Sequence, residues 1–191
     1  MLKKIISSSV LTVVLIVSLL AFPVLAEVTY SSDYDDNAVI KLMGETNVFD
    51  LKSKASLLMD ADTGTIILES NSHERLPIAS ITKIMSMLLF MEAIDSGRMS
   101  YDDIVVTSPH AASMDGSVAY LEVGEKFTVR DGLKAIAVHS SNDVTVAMAE
   151  KVAGSEEAFV VMMNEKAQEL GMMDTNFLDC TGLTNEGHYS T

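Results

Sequence analysis

The residues best suited to carry out a reaction are Ser80 and Lys83. They lie three positions apart, where a helix is predicted to begin. Apolar residues follow at helical spacing, and Pro77 precedes the first turn. Residues i and i+3 share a helix face, so the Lys83 amine can reach the Ser80 hydroxyl. A serine becomes a strong nucleophile when a neighbouring base takes its proton, and lysine is that base only when neutral. Burial and the positive end of the helix dipole both favour the neutral amine. The pair therefore predicts covalent chemistry on Ser80.

A second polar group, Ser140-Ser141-Asn142, separates two apolar runs that are predicted to be helices. A hydroxyl and an amide that project together can relay a proton and hold a peptide backbone. Alternatively, Ser140 or Asn142 can cap the helix that follows by accepting hydrogen bonds from its first amides. The spacing alone leaves both interpretations open.

The elements that position these residues follow from periodicity and turn signals. Two short strands, residues 55–60 and 65–69, flank Asp62-Thr63-Gly64 and predict a hairpin. The Ser80 helix is expected to end near Gly97, which suits a left-handed position. A short strand at 104–107 and a loop with one helical turn at 108–117 follow.

Three further helices are predicted. Thr128 and Asp131 resemble a capping box before a helix that runs to about residue 138, which we expect to be buried. A helix over 143–152 ends at Gly154, and Ser155 caps the next one, residues 156–170. Residues 172–191 are predicted to form a loop. The order is two strands, then a mostly helical stretch.

The first 26 residues predict a signal peptide. Lys3 and Lys4 form its positive start, an apolar stretch follows, and Val24-Leu25-Ala26 is a small-residue cleavage site. The alternative is an uncleaved membrane anchor. We expect an exported protein in which residues 27–54 are a polar, extended lead-in.

Composition excludes several classes of partner. The net charge of the chain is −14, and removal of the signal leaves 11 basic and 27 acidic residues, a charge of −16. Such an acidic chain without a basic cluster is a poor candidate for nucleic acid or anionic lipid. Its single cysteine, Cys180, excludes an internal disulfide and predicts a half-buried structural thiol. The four histidines show no ligand spacing, so we expect core or surface roles, with no metal and no cofactor; they are His73, His110, His139 and His188.

Taken together, Ser80-Ile-Thr-Lys83 and Ser140-Ser-Asn142 resemble the first two of three motifs of penicillin-binding proteins and serine β-lactamases. The flanking sequence looks closer to one branch, the serine-type D-alanyl-D-alanine carboxypeptidases. The resemblance covers about residues 55 to 191. The stretches that carry it are Leu58-Met-Asp-Ala-Asp-Thr-Gly64, Leu76-Pro-Ile-Ala-Ser-Ile-Thr-Lys-Ile-Met85, Gly116-Ser117, Leu121-Glu-Val-Gly124, Ala135-Ile-Ala-Val-His-Ser-Ser-Asn-Asp143 and Cys180-Thr-Gly-Leu183.

The resemblance implies an α/β fold, a mostly antiparallel sheet with a helical region inserted after its first two strands. Residues 55–191 would be the N-terminal part of that catalytic domain. The family's third motif, Lys-Thr-Gly, lies on a later strand and is absent here, since the two Thr-Gly pairs, at 63–64 and 181–182, lack the preceding lysine. We therefore expect the C-terminal strands, and any C-terminal membrane-binding segment, to be missing from this chain.

By resemblance, Ser80 would attack the carbonyl between the two terminal D-alanines of a peptidoglycan stem peptide. Lys83 would accept its proton, Ser140 would pass a proton toward the leaving D-alanine, and Asn142 would bind the substrate backbone. β-Lactam antibiotics would acylate Ser80. One oxyanion-hole donor would come from the absent third-motif strand. Because loss of such a donor costs roughly 10²–10³ in rate, we expect deficient activity in the chain as given.

Two alternatives remain. A class A β-lactamase uses a further glutamate in a Glu-x-x-Leu-Asn pattern, which the downstream acids of this chain do not match. A non-catalytic penicillin-sensing or wall-binding module would keep the fold and be acylated without turnover.

Overall fold

The computed structural model describes residues 51–184 and 186–191. The predicted signal peptide, residues 1–26, and the lead-in up to residue 50 lie outside the described residues. Where it is described, the chain divides into two units, residues 51–52 with 59–68 and residues 53–58 with 69–191. Across the described ranges, no helix combines the length and hydrophobicity that a membrane crossing requires.

The first two strands form the predicted hairpin. Strands β1 (Ser56–Met59) and β2 (Ile66–Ser70) make a two-stranded sheet. In the turn, the Asp60 carboxylate accepts hydrogen bonds from the amide of Thr63, at 2.8 Å, and from its hydroxyl, at 2.6 Å. Gly64 has a φ of +72°, a conformation that suits glycine. The predicted hairpin and its turn are therefore present, and the structure adds the role of Asp60, which was not predicted.

The remaining elements follow closely the predicted order. A 3₁₀ turn (Ala79–Thr82) runs directly into α1 (Lys83–Asp95). Next come β3 (Ile104–Val106), α2 (Pro109–Ala112), β4 (Lys126–Thr128), α3 (Val129–His139), α4 (Asn142–Ala153) and α5 (Glu156–Glu169). β3 and β4 pair antiparallel. The three-residue strand β4 was not predicted, because so short a run carries little periodicity.

Helix α4 is the centre of the helical core. Its residues from Asn142 to Ala149 are all buried, and it contacts α1, α2, α3, α5 and β3. Phe90 of α1 and Phe159 of α5 stack with their ring centroids 5.1 Å apart. Gly132 of α3 lies so close to Met148 of α4 that a Cβ there would crowd the Met148 sulfur. The start of α4, where the second polar motif lies, is therefore held from several sides.

The predicted caps are present, with one difference. Ser155 Oγ accepts the amide of Ala158 at 3.1 Å, and Thr128 Oγ1 accepts the amide of Asp131 at 3.1 Å. The Asp131 carboxylate, however, accepts the Thr128 hydroxyl proton rather than the backbone N–H of a full capping box. These local bonds fix where α3 and α5 begin.

Two expectations about burial were wrong. Helix α3 is not buried as a whole: Val129, Gly132 and Ile136 are buried, but Val138 is 88% exposed. Its apolar run therefore includes the outer face of the helix. Cys180 is fully rather than half buried, and burial raises the pKa of its thiol. A buried protonated thiol is unreactive, so its predicted structural role stands.

Candidate active site

Ser80 and Lys83 lie at the junction between the 3₁₀ turn and α1. Lys83 Nζ is 3.1 Å from Ser80 Oγ, so the contact predicted from their spacing is present. Ser80 is exposed, whereas Lys83 is only 3% exposed. The tight 3₁₀ turn presents the hydroxyl at the surface and turns the lysine inward. This is the arrangement that an attacking hydroxyl and its base require.

A second contact holds Lys83 in place. Its Nζ donates to the carbonyl oxygen of Thr181 at 3.0 Å, across 98 positions of sequence. Burial lowers the pKa of Lys83, and the nearby Cys180 and Asp179 oppose that shift. Desolvation dominates because it disfavours the ammonium form. The shift is in the direction that a general base requires, because it favours the neutral form of the amine.

The loop that supplies the Thr181 carbonyl is organised around Asp179. One carboxylate oxygen accepts the amides of Thr181, at 2.7 Å, and Gly182, at 2.5 Å. The other accepts the amide of Thr184 at 2.7 Å. Burial by itself would raise the pKa of Asp179, but these hydrogen bonds outweigh it and lower the pKa to about 2. The carboxylate is therefore ionised and fixes loop 179–184.

Gly182 brings this loop against the Ser80 turn. It has a φ of +82°, and a Cβ there would overlap the carbonyl oxygen of Ala79 and lie 2.7 Å from Thr82 Oγ1. Glycine is required on both grounds, conformation and space. The contact explains how a loop remote in sequence reaches Lys83.

The second motif lies between α3 and α4. Ser140 ends α3 in a left-handed conformation with φ 59°, and Asn142 is the first residue of α4. The Asn142 side-chain amide donates to the carbonyl of Asp115 at 2.6 Å, and its backbone N–H donates to the carbonyl of Ser117 at 2.7 Å. The helix-capping alternative is wrong, because the N-cap residue is Ser141 and no side chain caps this helix.

Asp143, which sequence reasoning missed, fixes the adjoining loop. It is 1% exposed, and its two carboxylate oxygens accept the amides of Ala119, at 2.9 Å, and Leu121, at 3.1 Å. With the contacts of Asn142, these bonds tie residues 115–121 to the start of α4. The feature of the sequence that could have indicated a role for Asp143 is its position as an acidic residue in the first turn of a helix.

The two motifs approach one another through Gly116 and loop 179–184. A Cβ at Gly116 would lie 3.1 Å from the Asn142 side-chain nitrogen and 3.6 Å from Leu183. Leu183 in turn follows Gly182, which packs against the Ser80 turn. Among the described residues, no hydrogen bond joins Ser140 to Ser80 or Lys83. The roles assigned to Ser140 and Asn142 therefore stay predictions.

These features define a class: an α/β protein in which an exposed serine hydroxyl contacts a buried lysine amine. Comparison with known proteins gives the family. Residues 42–191 match the family model described as D-alanyl-D-alanine carboxypeptidase, Peptidase_S11. The chain belongs to this family. It is 55% identical over 140 residues to the D-alanyl-D-alanine carboxypeptidase DacF of Bacillus subtilis, and 38% over 141 residues to DacD of Escherichia coli.

Solved structures agree with the fold predicted from the resemblance. A D-alanyl-D-alanine carboxypeptidase DacD from Francisella tularensis matches with a TM-score of 0.72 at 37% identity, over 74% of this chain and 34% of that one. Penicillin-binding protein 6B from Escherichia coli matches with a TM-score of 0.67 at 37% identity, over 71% and 44%. The alignments with the Bacillus and Escherichia relatives cover 73% and 71% of this chain but only 36% of each relative. The chain thus spans about a third of their length.

Proposed function

We propose that this chain is the N-terminal part of a serine-type D-alanyl-D-alanine carboxypeptidase, which removes the terminal D-alanine from peptidoglycan stem peptides. The observation that carries the proposal is the 3.1 Å contact between exposed Ser80 and buried Lys83. Family membership supports the reaction and the substrate class. The activity, the substrate and the partners of the whole protein are part of this proposal.

In the proposed reaction, neutral Lys83 accepts the Ser80 proton as Oγ bonds to the carbonyl carbon between the two D-alanines. The tetrahedral intermediate then breaks its C–N bond, and Ser140 relays the proton from Lys83 to the departing D-alanine amine, which returns Lys83 to its neutral form. Water hydrolyses the ester, which releases the shortened peptide and restores Ser80. Asn142 binds the substrate backbone, since its bond to Asp115 leaves its side-chain oxygen free for a substrate amide.

β-Lactam antibiotics are the second proposed ligand class, because their strained amide presents the same type of carbonyl to Ser80. A site that cleaves wall peptides acts outside the cytoplasm, which agrees with the signal sequence predicted at residues 1–26. The class A β-lactamase alternative is disfavoured by the missing Glu-x-x-Leu-Asn pattern and by the family match.

Labelled penicillin tests the assignment. We expect mapping to find the label on Ser80, and Ser80→Ala to abolish it. Ser96→Ala, at the opposite end of α1, is the matched control and should label normally. The assay is run on the chain and on a chimera in which Bacillus subtilis DacF supplies the sequence that follows residue 191. Label on another serine, or undiminished labelling of Ser80→Ala, would contradict the proposal.

Turnover separates the remaining alternatives. A carboxypeptidase releases D-alanine from a stem-peptide mimic, a β-lactamase hydrolyses penicillin repeatedly, and a sensing module is acylated once and does neither. D-alanine release by the chimera is the expected result.

A further inference from the structure

His188 is a buried histidine that neither the sequence motifs nor the proposed mechanism uses. It is 1% exposed, and its Nε2 lies 2.7 Å from Thr82 Oγ1, across 106 positions of sequence. Thr82 is itself 1% exposed and immediately precedes Lys83. The imidazole therefore contacts the one residue between Ser80 and Lys83 whose side chain is buried.

The direction of this hydrogen bond follows from the other ring nitrogen. The backbone N–H of Leu178 points at His188 Nδ1, at 3.1 Å. A backbone N–H only donates, so Nδ1 is the acceptor, and in a neutral ring the proton is on Nε2. Nε2–H then donates to the Thr82 hydroxyl. Both ring nitrogens are satisfied only in this neutral tautomer.

The surroundings of His188 favour the same form. Burial lowers the pKa of His188, while Asp179, whose carboxylate oxygen is 3.8 Å from Nδ1, opposes the shift. The Phe177 ring packs edge-on against the imidazole, with centroids 5.7 Å apart. The histidine is thus a fixed neutral donor.

The segment that carries His188 is also bound just ahead of the Ser80 turn. Leu76 and Ser190 exchange two backbone hydrogen bonds, of 2.9 and 3.1 Å. One connection thus lies four residues before Ser80 and the other, through Thr82, two residues after it. The Thr82 hydroxyl also abuts Gly182, so a shift of Thr82 would disturb loop 179–184 as well.

We propose that His188 is a positioning residue for the Ser80–Lys83 turn: through Thr82 it holds the nucleophile and its base in the geometry for acylation. It touches neither substrate nor the reacting atoms. The inference extends the proposed function, because it assumes that the turn performs acyl transfer. Displacing reacting groups by about 1 Å costs on the order of 10²-fold in rate.

Two variants break the contact from opposite sides. His188→Leu removes both ring nitrogens, and Thr82→Val removes the hydroxyl at nearly constant shape. His188→Gln is the rescue variant, since a side-chain amide offers one donor and one acceptor. His73→Gln, an exposed histidine, is the matched control.

The first readout is the pKa of Lys83 in the chimera, measured by competitive acetylation and mass spectrometry. A loosened turn admits water, so we expect the pKa to rise toward its ordinary value of 10.5 in His188→Leu and Thr82→Val. The charged and titratable groups facing Lys83, Asp179 and Cys180, are unchanged in these variants. His188→Gln and His73→Gln should keep the wild-type value.

The second readout is the rate of Ser80 labelling by penicillin per folded molecule in the chimera. We expect it to fall about 10²-fold in the two disrupting variants and to recover in His188→Gln. The same Lys83 pKa and labelling rate in Thr82→Val as in wild type would overturn the proposal, even if His188→Leu fails to fold. If penicillin labels a residue other than Ser80 in the wild type, the proposed function is wrong. The pKa of Lys83 then decides by itself whether His188 positions the turn.

Discussion

At the scale of single residues, the site depends on one buried amine. Lys83 is 3% exposed and its hydrogen-bond partners are neutral, the Ser80 hydroxyl and the Thr181 carbonyl. Within the described residues, no carboxylate forms a salt bridge with it. An unpaired buried ammonium is costly, so the protein environment itself drives Lys83 toward the neutral form.

Lys83→Arg tests whether that neutrality matters. Arginine keeps a positive charge but supplies no neutral nitrogen near neutral pH. We expect the variant to lose Ser80 acylation by at least about 10²-fold, the contribution typical of a general base, while remaining folded. Labelling kinetics with penicillin measure the first expectation and circular dichroism the second. Lys134→Arg, an exposed lysine of α3, is the control, and near wild-type acylation by Lys83→Arg would place the base elsewhere.

At the scale of elements, loop 179–184 is what connects the helices to the site. It has no regular structure, yet four different groups fix it. Asp179 accepts its amides, Glu156 accepts the amide of Cys180, Ser86 donates to the carbonyl of Cys180, and Lys83 donates to that of Thr181. These bonds hold the loop against α1 and α5.

Asp179→Asn should weaken this loop. The side-chain NH₂ of asparagine would face the backbone N–H of Thr184, and two donors cannot form a hydrogen bond with each other. The negative charge of the carboxylate would also be lost. Asp179 is partly buried, and the loss of hydrogen bonds to such a charged group costs about 1–3 kcal/mol of unfolding free energy. Urea denaturation of the chimera at pH 7 measures the loss of unfolding free energy. Asp174→Asn, an exposed acid, is the control and should cost less than about 1 kcal/mol.

The pH dependence of stability gives an independent check on Asp179. Its folded pKa, about 2, lies below the ordinary value of 3.8, so its contribution is fully present above that value. The contribution is lost as the pH falls from about 4 toward 2. We therefore expect the stability difference between wild type and Asp179→Asn to narrow over that range. A constant difference would show that the carboxylate is not ionised preferentially in the folded state.

At the scale of the whole molecule, the described helices leave an apolar surface uncovered. Ile81 of the 3₁₀ turn and Ile84 at the start of α1 are 62% and 69% exposed. They line an apolar groove of about 380 Å³ together with Leu88, Leu170 and Phe177. Soluble proteins rarely expose large contiguous apolar patches, because such surfaces associate.

Residues 27–191 alone are therefore expected to be unstable or prone to aggregate, and deficient in D-alanine release. Light scattering measures aggregation and thermal unfolding measures stability, each compared between the short chain and the chimera with Bacillus subtilis DacF. Ile84→Gln should reduce aggregation of the short chain, since it removes the most exposed apolar side chain of the groove. A monomeric short chain with a cooperative transition and D-alanine release equal to the chimera would contradict the expectation.

Much of this protein could be predicted from local sequence. The spacing of Ser80 and Lys83, the caps at Thr128 and Ser155, and the hairpin turn at Gly64 all depend on neighbours within a few residues, whose geometry the backbone fixes. The resemblance carried by these segments predicted the fold, and the family match confirmed it.

Only the tertiary structure decided what surrounds the motifs. Thr181 reaches Lys83 across 98 residues and His188 reaches Thr82 across 106, while Asn142 is anchored on Asp115 instead of capping its helix. The burial of α3 was overestimated because an apolar run does not show which of its faces meets α4. Local spacing sets which groups the chain can present. Which of them are buried, and therefore which amine has a lowered pKa, depends on packing between segments far apart in sequence.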